Sequence, residues 1–219
     1  MSKGLFVIAT GTDVGKTYVS ALILKQMKEQ GLHCGYYKPV LSGASLGIPD
    51  CEYVIQKSGI KQTFNGCVTY SFEEPLSPHL AADRVGIEIK PKKILEDFNK
   101  HKLEYDYLLI EGAGGVTTPL SLDYLLSDLI KEMKVDTLLV ADAGLGTINS
   151  VLLTCEYAKL KDINISGIVL NNYDVNNYMH KDNKEVIEKL TGVKVLATVK
   201  RDDELIDVDN VVNLFGELL

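Results

Sequence analysis

Residues 10–17 read Thr10-Gly11-Thr12-Asp13-Val14-Gly15-Lys16-Thr17, between a short apolar run and a segment with helical periodicity. A phosphate-binding loop between a strand and a helix follows the pattern G-x-x-x-x-G-K-[ST], and here Thr10 replaces the first glycine. In such a loop Gly15 lets the backbone lie close to phosphate, Lys16 reaches the β- and γ-phosphates, and Thr17 offers its hydroxyl to Mg²⁺. The stretch therefore predicts a P-loop nucleotide site.

Strand and helix patterns alternate along the rest of the chain. Six apolar runs have the length of strands and are mostly continuous, as in strands that are covered on both faces; they are residues 5–10, 35–40, 106–111, 136–141, 166–171 and 194–199. Helical periodicity occupies residues 16–30, 121–133, 148–160 and 184–190. This alternation predicts an α/β fold, with a doubly wound, mostly parallel sheet and helices on both faces. We expect residues 1–219 to form a single P-loop domain.

Residues 41–105 interrupt the alternation. They hold four of the six prolines, helical patterns over residues 50–56 and 94–102, and an edge-strand pattern over residues 68–72. We interpret this segment as an elaboration on the sheet and not as a separate domain.

Composition limits the functions to consider. Hydrophobic residues make up 46% of the chain and charged residues 24%, as is usual for a globular protein, and the net charge is −7. An acidic chain without a long basic run is a poor binder of duplex nucleic acid, and no apolar run approaches the ~20 residues needed to span a bilayer. The four cysteines lack metal-site spacing, and the first residues lack the pattern of a signal peptide. We expect a cytoplasmic protein that binds neither nucleic acid nor membrane.

Three further segments follow predicted strands, where ligands bind in open α/β sheets. Residues 38–43 read Lys-Pro-Val-Leu-Ser-Gly, and Lys38 is either a ligand for phosphate or a surface lysine that ends a strand. Residues 111–115 read Glu-Gly-Ala-Gly-Gly, where Glu111 is either a Walker B carboxylate for Mg²⁺ or part of a tight turn. Residues 144–149 read Gly-Leu-Gly-Thr-Ile-Asn and open a helix, whose start favours anions.

Together these segments resemble the dethiobiotin synthetases. The segment Glu-Glu-Pro-Leu-Ser-Pro-His-Leu-Ala-Ala at residues 73–82 and Asn171 add to the match. The matching pieces occur in the family's order and at similar spacing, over about four-fifths of the chain. The P-loop is shared by many ATPases, whereas the combination KPVxSG, EPxSPHxAA and EGAGG is far more specific.

The resemblance implies a cyclo-ligase of biotin biosynthesis. It carboxylates 7,8-diaminononanoate with CO2, uses ATP and Mg²⁺, and closes the ring to give dethiobiotin, ADP and phosphate. The route passes through a carbamate and a carbamic-phosphoric anhydride, and it needs positioned charge more than a protein nucleophile.

The resemblance also implies the site residues, with Lys16 and Lys38 as the catalytic pair. The implied Mg²⁺ ligands are Thr17, Asp50 and Glu111. Those implied for ATP are Thr12, Asp13, Val14, Gly15, Lys16, Thr17, Asp50, Glu111, Gly112, Ala113, Gly114, Asn171 and Asn172. Those implied for the diamine substrate are Thr10, Ser42, Gly146, Thr147 and Asn149.

A homodimer with shared active sites is a further implication. The helix start at Gly146 would receive the substrate's distal carboxylate across the two-fold interface. The helix over residues 148–160, with Val151, Leu152, Cys155 and Leu160, would supply part of the buried contact.

The alternatives are other P-loop proteins. Amide-forming relatives with a glutaminase domain need a longer chain, and ATPases of the ParA and MinD type carry a lysine where this chain has Gly11. A relative with a changed small-molecule substrate stays open, because Lys200 stands where the family usually has a proline beside the adenine site. The sequence makes no prediction of selectivity among nucleotides.

Overall fold

Nine strands form the framework of the computed structural model, which describes residues 2–45, 47–208 and 210–215. In chain order they are β1 (Lys3–Ala9), β2 (Cys34–Ser42), β3 (Val68–Phe72), β4 (Tyr107–Gly115), β5 (Pro119–Ser121), β6 (Tyr124–Leu125), β7 (Asp136–Asp142), β8 (Ile165–Asn171) and β9 (Val195–Thr198). Seven of them form one parallel sheet in the order β3-β2-β4-β1-β7-β8-β9, while β5 and β6 pair as a small antiparallel hairpin.

Helices connect the strands on both faces of this sheet. They are α1 (Lys16–Glu29), α2 (Asp50–Ser58), α3 (Pro78–Arg84), α4 (Pro91–Glu104), α5 (Leu126–Met133), α6 (Thr147–Leu160) and α7 (Tyr178–Thr191). Short 3₁₀ turns occupy Phe64–Gly66 and Val211–Phe215. No helix among the described residues is long and apolar enough to cross a membrane.

Alternation along β2 separates the two faces of the sheet. Tyr36 packs into the core that β1 and β4 share with α1 and α2, whereas Tyr37 packs into the opposite core with α4. Lys38 lies two residues after Tyr36 and so shares its face. The register of β2 on β4 pairs Tyr37 with Ile110, which brings Lys38 beside Glu111. Because all seven strands are parallel, their carboxyl ends meet at one edge of the sheet, where the P-loop follows β1.

The predicted α/β fold is confirmed, and each of the six predicted strands is present within a few residues of its expected bounds. Residues 68–72 form the edge strand β3 of the same sheet, so the segment 41–105 is an elaboration of it, as expected. Helix α3 and the hairpin were not anticipated.

The helix expected over residues 121–133 is wrong in its first third. The chain forms β5 and β6 there, Leu122 is exposed, and the helix begins only at Leu126. The carboxylate of Asp128 accepts a hydrogen bond from the backbone N–H of Leu125 at 2.8 Å, and the N–H of Leu126 donates to the Thr118 carbonyl at 2.8 Å. These bonds end the hairpin and start the helix, and they override the apolar spacing that counted Leu122 as a buried helical position.

Candidate active site

The P-loop borders a cleft of about 1020 Å³ at the carboxyl edge of the sheet. The backbone N–H of Thr10 donates to the Val140 carbonyl of β7 at 3.1 Å, which fixes the start of the loop. Gly15 ends the loop with a φ of 87°, a conformation that favours glycine, and α1 begins at Lys16. The cleft is lined by residues 11–18, 38, 40–43, 48–50, 53, 75–78, 113–114 and 118–119.

Glu111 is the centre of the charged groups beneath this cleft. It lies on β4 and its side chain is 0% exposed. Its Oε1 atom accepts hydrogen bonds from Lys38 Nζ at 2.8 Å, Thr17 Oγ1 at 2.8 Å and Lys16 Nζ at 3.2 Å. Its Oε2 atom accepts one from the Tyr36 hydroxyl at 3.1 Å. Burial alone would raise the pKa of Glu111, but the charges of Lys38 and Lys16 and these hydrogen bonds hold that pKa well below its usual range.

Lys38 bridges two carboxylates. It is 3% exposed, and its Nζ lies 2.8 Å from Glu111 Oε1 and 2.5 Å from Asp50 Oδ2. Burial by itself lowers the pKa of Lys38, but the two carboxylates outweigh it and raise the pKa above its usual value, so the ammonium form is stabilised. The interpretation of Lys38 as a surface lysine that ends a strand is therefore wrong.

Lys16 has a different electrostatic environment. Burial lowers its pKa, Glu111 opposes this effect, and the nearby charge of Lys38 lowers the pKa further. The two ammonium groups thus share Glu111 Oε1 and repel each other, which leaves Lys16 the less satisfied of the pair. An anion that entered the cleft would relieve this repulsion.

Oxygen ligands suited to Mg²⁺ lie around Glu111 and Lys38. Thr17 Oγ1 and Glu111 Oε1 are 2.8 Å apart, and Lys38 connects Glu111 to Asp50, which begins α2. The described part of the chain contains no group of three or more His, Cys, Asp and Glu side chains arranged to hold a metal. Mg²⁺ in phosphoryl-transfer sites, however, takes one or two carboxylates, and phosphates and water complete its shell. The donor set fits such an ion.

Asn171 lies beneath the P-loop. It ends β8, is nearly fully buried, and its Nδ2 donates to the Val14 carbonyl at 2.9 Å. A Cβ atom at Gly15 would lie 2.0 Å from this Nδ2, so a larger residue there would displace the Asn171 side chain, and the positive φ of Gly15 also favours glycine. The next residue, Asn172, has a φ of 56° and donates to Asp142 Oδ2 at 2.6 Å. This arrangement shows how Asn171 supports the loop, and its reading of adenine stays a prediction.

The other predicted residues of the nucleotide and substrate sites differ in their position relative to the cleft. Those that line the cleft are Thr12, Asp13, Val14, Ser42, Ala113 and Gly114. Gly112 lies just behind it, where a Cβ atom would approach Leu126 Cδ2 to 2.8 Å. Thr10, Gly146, Thr147 and Asn149 do not belong to the lining of this cleft.

The loop that leads into α6 is held by hydrogen bonds within the protomer, but it is exposed. Gly146 precedes the helix with a φ of 91°, and a Cβ atom there would meet nothing within 4 Å. Asn183 of α7 donates through Nδ2 to the Ala143 carbonyl at 2.8 Å and to the Gly144 carbonyl at 3.2 Å. The loop is therefore held in place from within the protomer, while its outer side stays open.

Part of α6 is apolar and exposed. Leu153 is 63% exposed and Leu160 78%, and Leu145, in the loop that precedes the helix, is 94% exposed. Val151, in contrast, is fully buried in the protomer's own core, so its expected place in an intersubunit contact is wrong. Apolar residues occur on several sides of α6, so their spacing in the sequence does not predict which of them face α7 and the sheet.

The sequence reasoning missed Tyr36. Its hydroxyl reaches Glu111 across 75 residues of chain. The available signal was its position, since it precedes Lys38 by two residues on one strand and therefore lies on the same face.

Comparisons with known proteins identify the family of the chain. A family model described as an AAA domain matches residues 3–208. Relatives named ATP-dependent dethiobiotin synthetase BioD include one from Clostridium botulinum (strain Alaska E43 / Type E3), 45% identical over 203 residues that cover 89% of each chain. A second, from Brachyspira hyodysenteriae, is 43% identical and covers 98% of this chain and 100% of its own. A third, from Clostridium perfringens (strain 13 / Type A), is 40% identical and covers 100% of this chain and 99% of its own.

Solved structures with a similar fold are more distant in sequence. The septum site-determining protein MinD from Pyrococcus horikoshii, complexed with Mg-ADP, has a TM-score of 0.60 at 16% identity and covers 92% of this chain and 82% of its own. A ParA family ATPase from Chlorobium tepidum has a TM-score of 0.58 at 16% identity and covers 98% of this chain and 89% of its own. These likenesses show the fold alone.

Proposed function

We propose a reaction course and a set of residue roles for this chain, which belongs to the family of ATP-dependent dethiobiotin synthetases. The chain is an enzyme of this type, an ATP-dependent ligase that makes dethiobiotin in biotin biosynthesis. The observation that supports the finer proposal is the pair of lysines, Lys16 and Lys38, which meet on one buried carboxylate at the floor of the P-loop cleft.

The proposed reaction has three steps. One amine of 7,8-diaminononanoate adds to the carbon of CO2 and loses a proton, which gives a carbamate. A carbamate oxygen attacks the γ-phosphorus of ATP and ADP leaves, which gives a carbamic-phosphoric anhydride. The second amine attacks the carbonyl carbon and loses a proton, and phosphate leaves as the ring closes. None of these steps needs a protein nucleophile, so catalysis rests on positioning and charge stabilisation.

In this scheme the two lysines bind and neutralise the negatively charged groups of the substrates. Lys16 holds the β- and γ-phosphates at the start of α1, where the helix dipole also favours an anion. Lys38 neutralises the carbamate and the phosphoryl group that is transferred. Its ammonium group is held in place beforehand by the carboxylates of Asp50 and Glu111. Both lysines exchange a carboxylate oxygen for a phosphate or carbamate oxygen when the substrates enter.

Mg²⁺ would be held by Thr17, Asp50 and Glu111, and it would supply positive charge to the phosphate oxygens during transfer. The proposal rests on the oxygen donors that surround Lys38 and on the neutral balance between two lysines and two carboxylates. Removal of either carboxylate would leave an excess of positive charge that repels the cation.

We propose the remaining contacts from the same family. The nucleotide lies against Thr12, Asp13, Val14, Gly15, Gly112, Ala113, Gly114, Asn171 and Asn172. The diamine lies against Thr10 and Ser42, and its distal carboxylate lies at Gly146, Thr147 and Asn149 of the partner subunit's α6.

The homodimer is supported by two features. The start of α6 lies outside the lining of its own protomer's cleft, and Leu153 and Leu160 on the helix are exposed apolar residues, as is Leu145 in the loop that precedes it. We also propose a cytoplasmic enzyme without nucleic-acid or membrane partners. The four unpaired cysteines suit a reducing compartment, and the net charge of −7 disfavours polyanions.

A phosphate-release assay tests the reaction and the metal together. The complete mixture contains diaminononanoate, bicarbonate, ATP and Mg²⁺, and we expect phosphate release to fall to background when any one is omitted. Chelation with EDTA should abolish the reaction, and Mg²⁺ or Mn²⁺ should restore it. Release that persists without diaminononanoate, or that requires another amine, would contradict the proposed substrate. Release that survives thorough chelation would contradict the metal site.

The shared active site predicts a specific defect in Gly146→Glu. The added carboxylate should repel the substrate's distal carboxylate and raise the KM for diaminononanoate at least about tenfold, while the KM for ATP changes little. Gly192→Glu is the matched control, because Gly192 also has a positive φ of 71° and open space around its Cβ position, but ends α7. Sedimentation should show a dimer. A fully active monomer, or an equal effect of both substitutions, would refute the shared site.

A further inference from the structure

Among the described residues, Tyr36 makes the only hydrogen bond to the Glu111 carboxylate that comes from outside the residues lining the cleft. Its hydroxyl donates to Glu111 Oε2 at 3.1 Å, and the whole tyrosine is buried. The other donors to Glu111 all converge on Oε1. The two oxygens of this carboxylate therefore face different groups, with the P-loop and Lys38 on Oε1 and the sheet interior on Oε2.

Burial makes this contact directional. A tyrosine hydroxyl enclosed in the core has no water to bind, so it donates to the carboxylate oxygen in reach. A bond from a phenol to an ionised carboxylate is stronger than one between neutral groups. Rotation of the Glu111 side chain about its last bond would break it, which fixes the plane of the carboxylate.

Gln62 fixes the tyrosine in turn. The backbone N–H of Tyr36 donates to Gln62 Oε1 at 2.9 Å, and Gln62 Nε2 donates to the Tyr36 carbonyl at 2.8 Å. This pair of bonds stands where a neighbouring strand would bind, because β3 pairs with β2 only from Lys38 onward. The contacts form a chain from Gln62 through Tyr36 to Glu111.

We propose that Tyr36 is a positioning residue for the metal step of the reaction. It holds the carboxylate plane of Glu111 so that Oε1 stays directed at Thr17, Lys38 and the Mg²⁺ site. Tyr36 does not touch ATP or the diamine in this role, and the inference rests on the proposed function of Glu111 as a Mg²⁺ ligand. Residues that orient metal ligands typically change metal affinity or activity by about 10- to 100-fold when they are removed.

Tyr36→Phe tests this role, with Tyr37→Phe as the matched control. Both substitutions remove one buried hydroxyl from adjacent residues of β2. Tyr37 faces the other side of the sheet, where its hydroxyl bonds to Thr69 Oγ1 at 2.6 Å and to the Ile94 carbonyl at 3.0 Å. Calorimetric titration gives the Kd of ATP for each protein in EDTA and in Mg²⁺, and the ratio of the two values measures the contribution of the metal.

We expect Mg²⁺ to tighten ATP binding in the wild type and in Tyr37→Phe to the same extent. In Tyr36→Phe the Kd in EDTA should be unchanged, and the gain from Mg²⁺ should shrink by about tenfold. The kcat of Tyr36→Phe should fall together with this gain in affinity, while its KM for diaminononanoate stays the same. The melting temperatures of both variants show how much stability the loss of each buried hydroxyl costs, apart from any effect on Mg²⁺.

Three results would overturn the inference. An unchanged gain from Mg²⁺ in Tyr36→Phe would refute it and leave the proposed metal site intact. Equal weakening of ATP binding with and without Mg²⁺ would show a general structural role. Absence of any Mg²⁺ effect in the wild type would refute the proposed metal site, and the role of Tyr36 would fall with it.

Discussion

Replacement of Lys38 by alanine is expected to lower turnover of diaminononanoate at least about 100-fold, or about 2.7 kcal/mol of transition-state stabilisation. Lys38 is almost fully buried, and its ammonium group is already fixed between Glu111 and Asp50 before any substrate enters. The charge is therefore already in the site when negative charge develops in the transition state. Steady-state phosphate release at saturating ATP, bicarbonate and diamine measures the effect.

The Lys38→Ala protein should still bind ATP within a fewfold of the wild type, because Lys16 and the P-loop remain. It should also remain folded, since Glu111 keeps donors from Lys16, Thr17 and Tyr36. Circular dichroism and nucleotide titration check both points. Turnover near the wild-type value would refute the catalytic assignment of Lys38.

Replacement of Lys16 by alanine should affect both binding and turnover. We expect turnover to fall at least about 100-fold and ATP affinity to drop as well, because Lys16 lies at the P-loop where the β- and γ-phosphates are bound. Its pKa is lowered mainly by burial and also by the nearby Lys38, and phosphate oxygens would add acceptors to the single oxygen of Glu111 that it now shares with Lys38. Titration with ATP and with ADP, followed by the phosphate-release assay, measures the two effects.

Lys25→Ala is the control for Lys16→Ala. Lys25 lies on the same helix, and its Nζ is 2.7 Å from Glu204 Oε2, but this ion pair lies outside the cleft. Loss of an exposed pair costs little, so this variant should keep its ATP affinity and turnover. Equal loss in the two variants would mean that α1 is disturbed in general, and a Lys16→Ala protein with normal ATP affinity would contradict the phosphate role.

The sequence predicted the elements whose signals are local. Continuous apolar runs indicated the strands of a covered parallel sheet, and the Gly15-Lys16-Thr17 motif indicated the loop between β1 and α1. The hairpin at residues 119–125 was not predictable in this way, because it depends on the Asp128 cap and on the Thr118 carbonyl.

Contacts between distant parts of the chain were the other gap. Tyr36 and Glu111 are 75 residues apart in sequence, so their bond was not predictable, and the group that a Cβ atom at Gly15 would meet is Asn171, which is also distant in sequence. The orientation of α6 likewise depends on its packing against α7, which buries Val151 and leaves Leu153 exposed. Residue types and spacing could place these groups near the carboxyl edge of the sheet, but not assign their partners.

The strand order has a consequence for synthesis on the ribosome. β1 is made first, yet its neighbours in the sheet are β4 and β7, which begin at Tyr107 and Asp136. At about 5–20 residues per second, β1 waits roughly 5–20 s for its first neighbour. During that interval its apolar residues Leu5, Phe6 and Val7, all buried in the finished protein, have no sheet to cover them. The sheet therefore cannot form around β1 before β4 has been made, and the Glu111 carboxylate of the site arrives with that same strand.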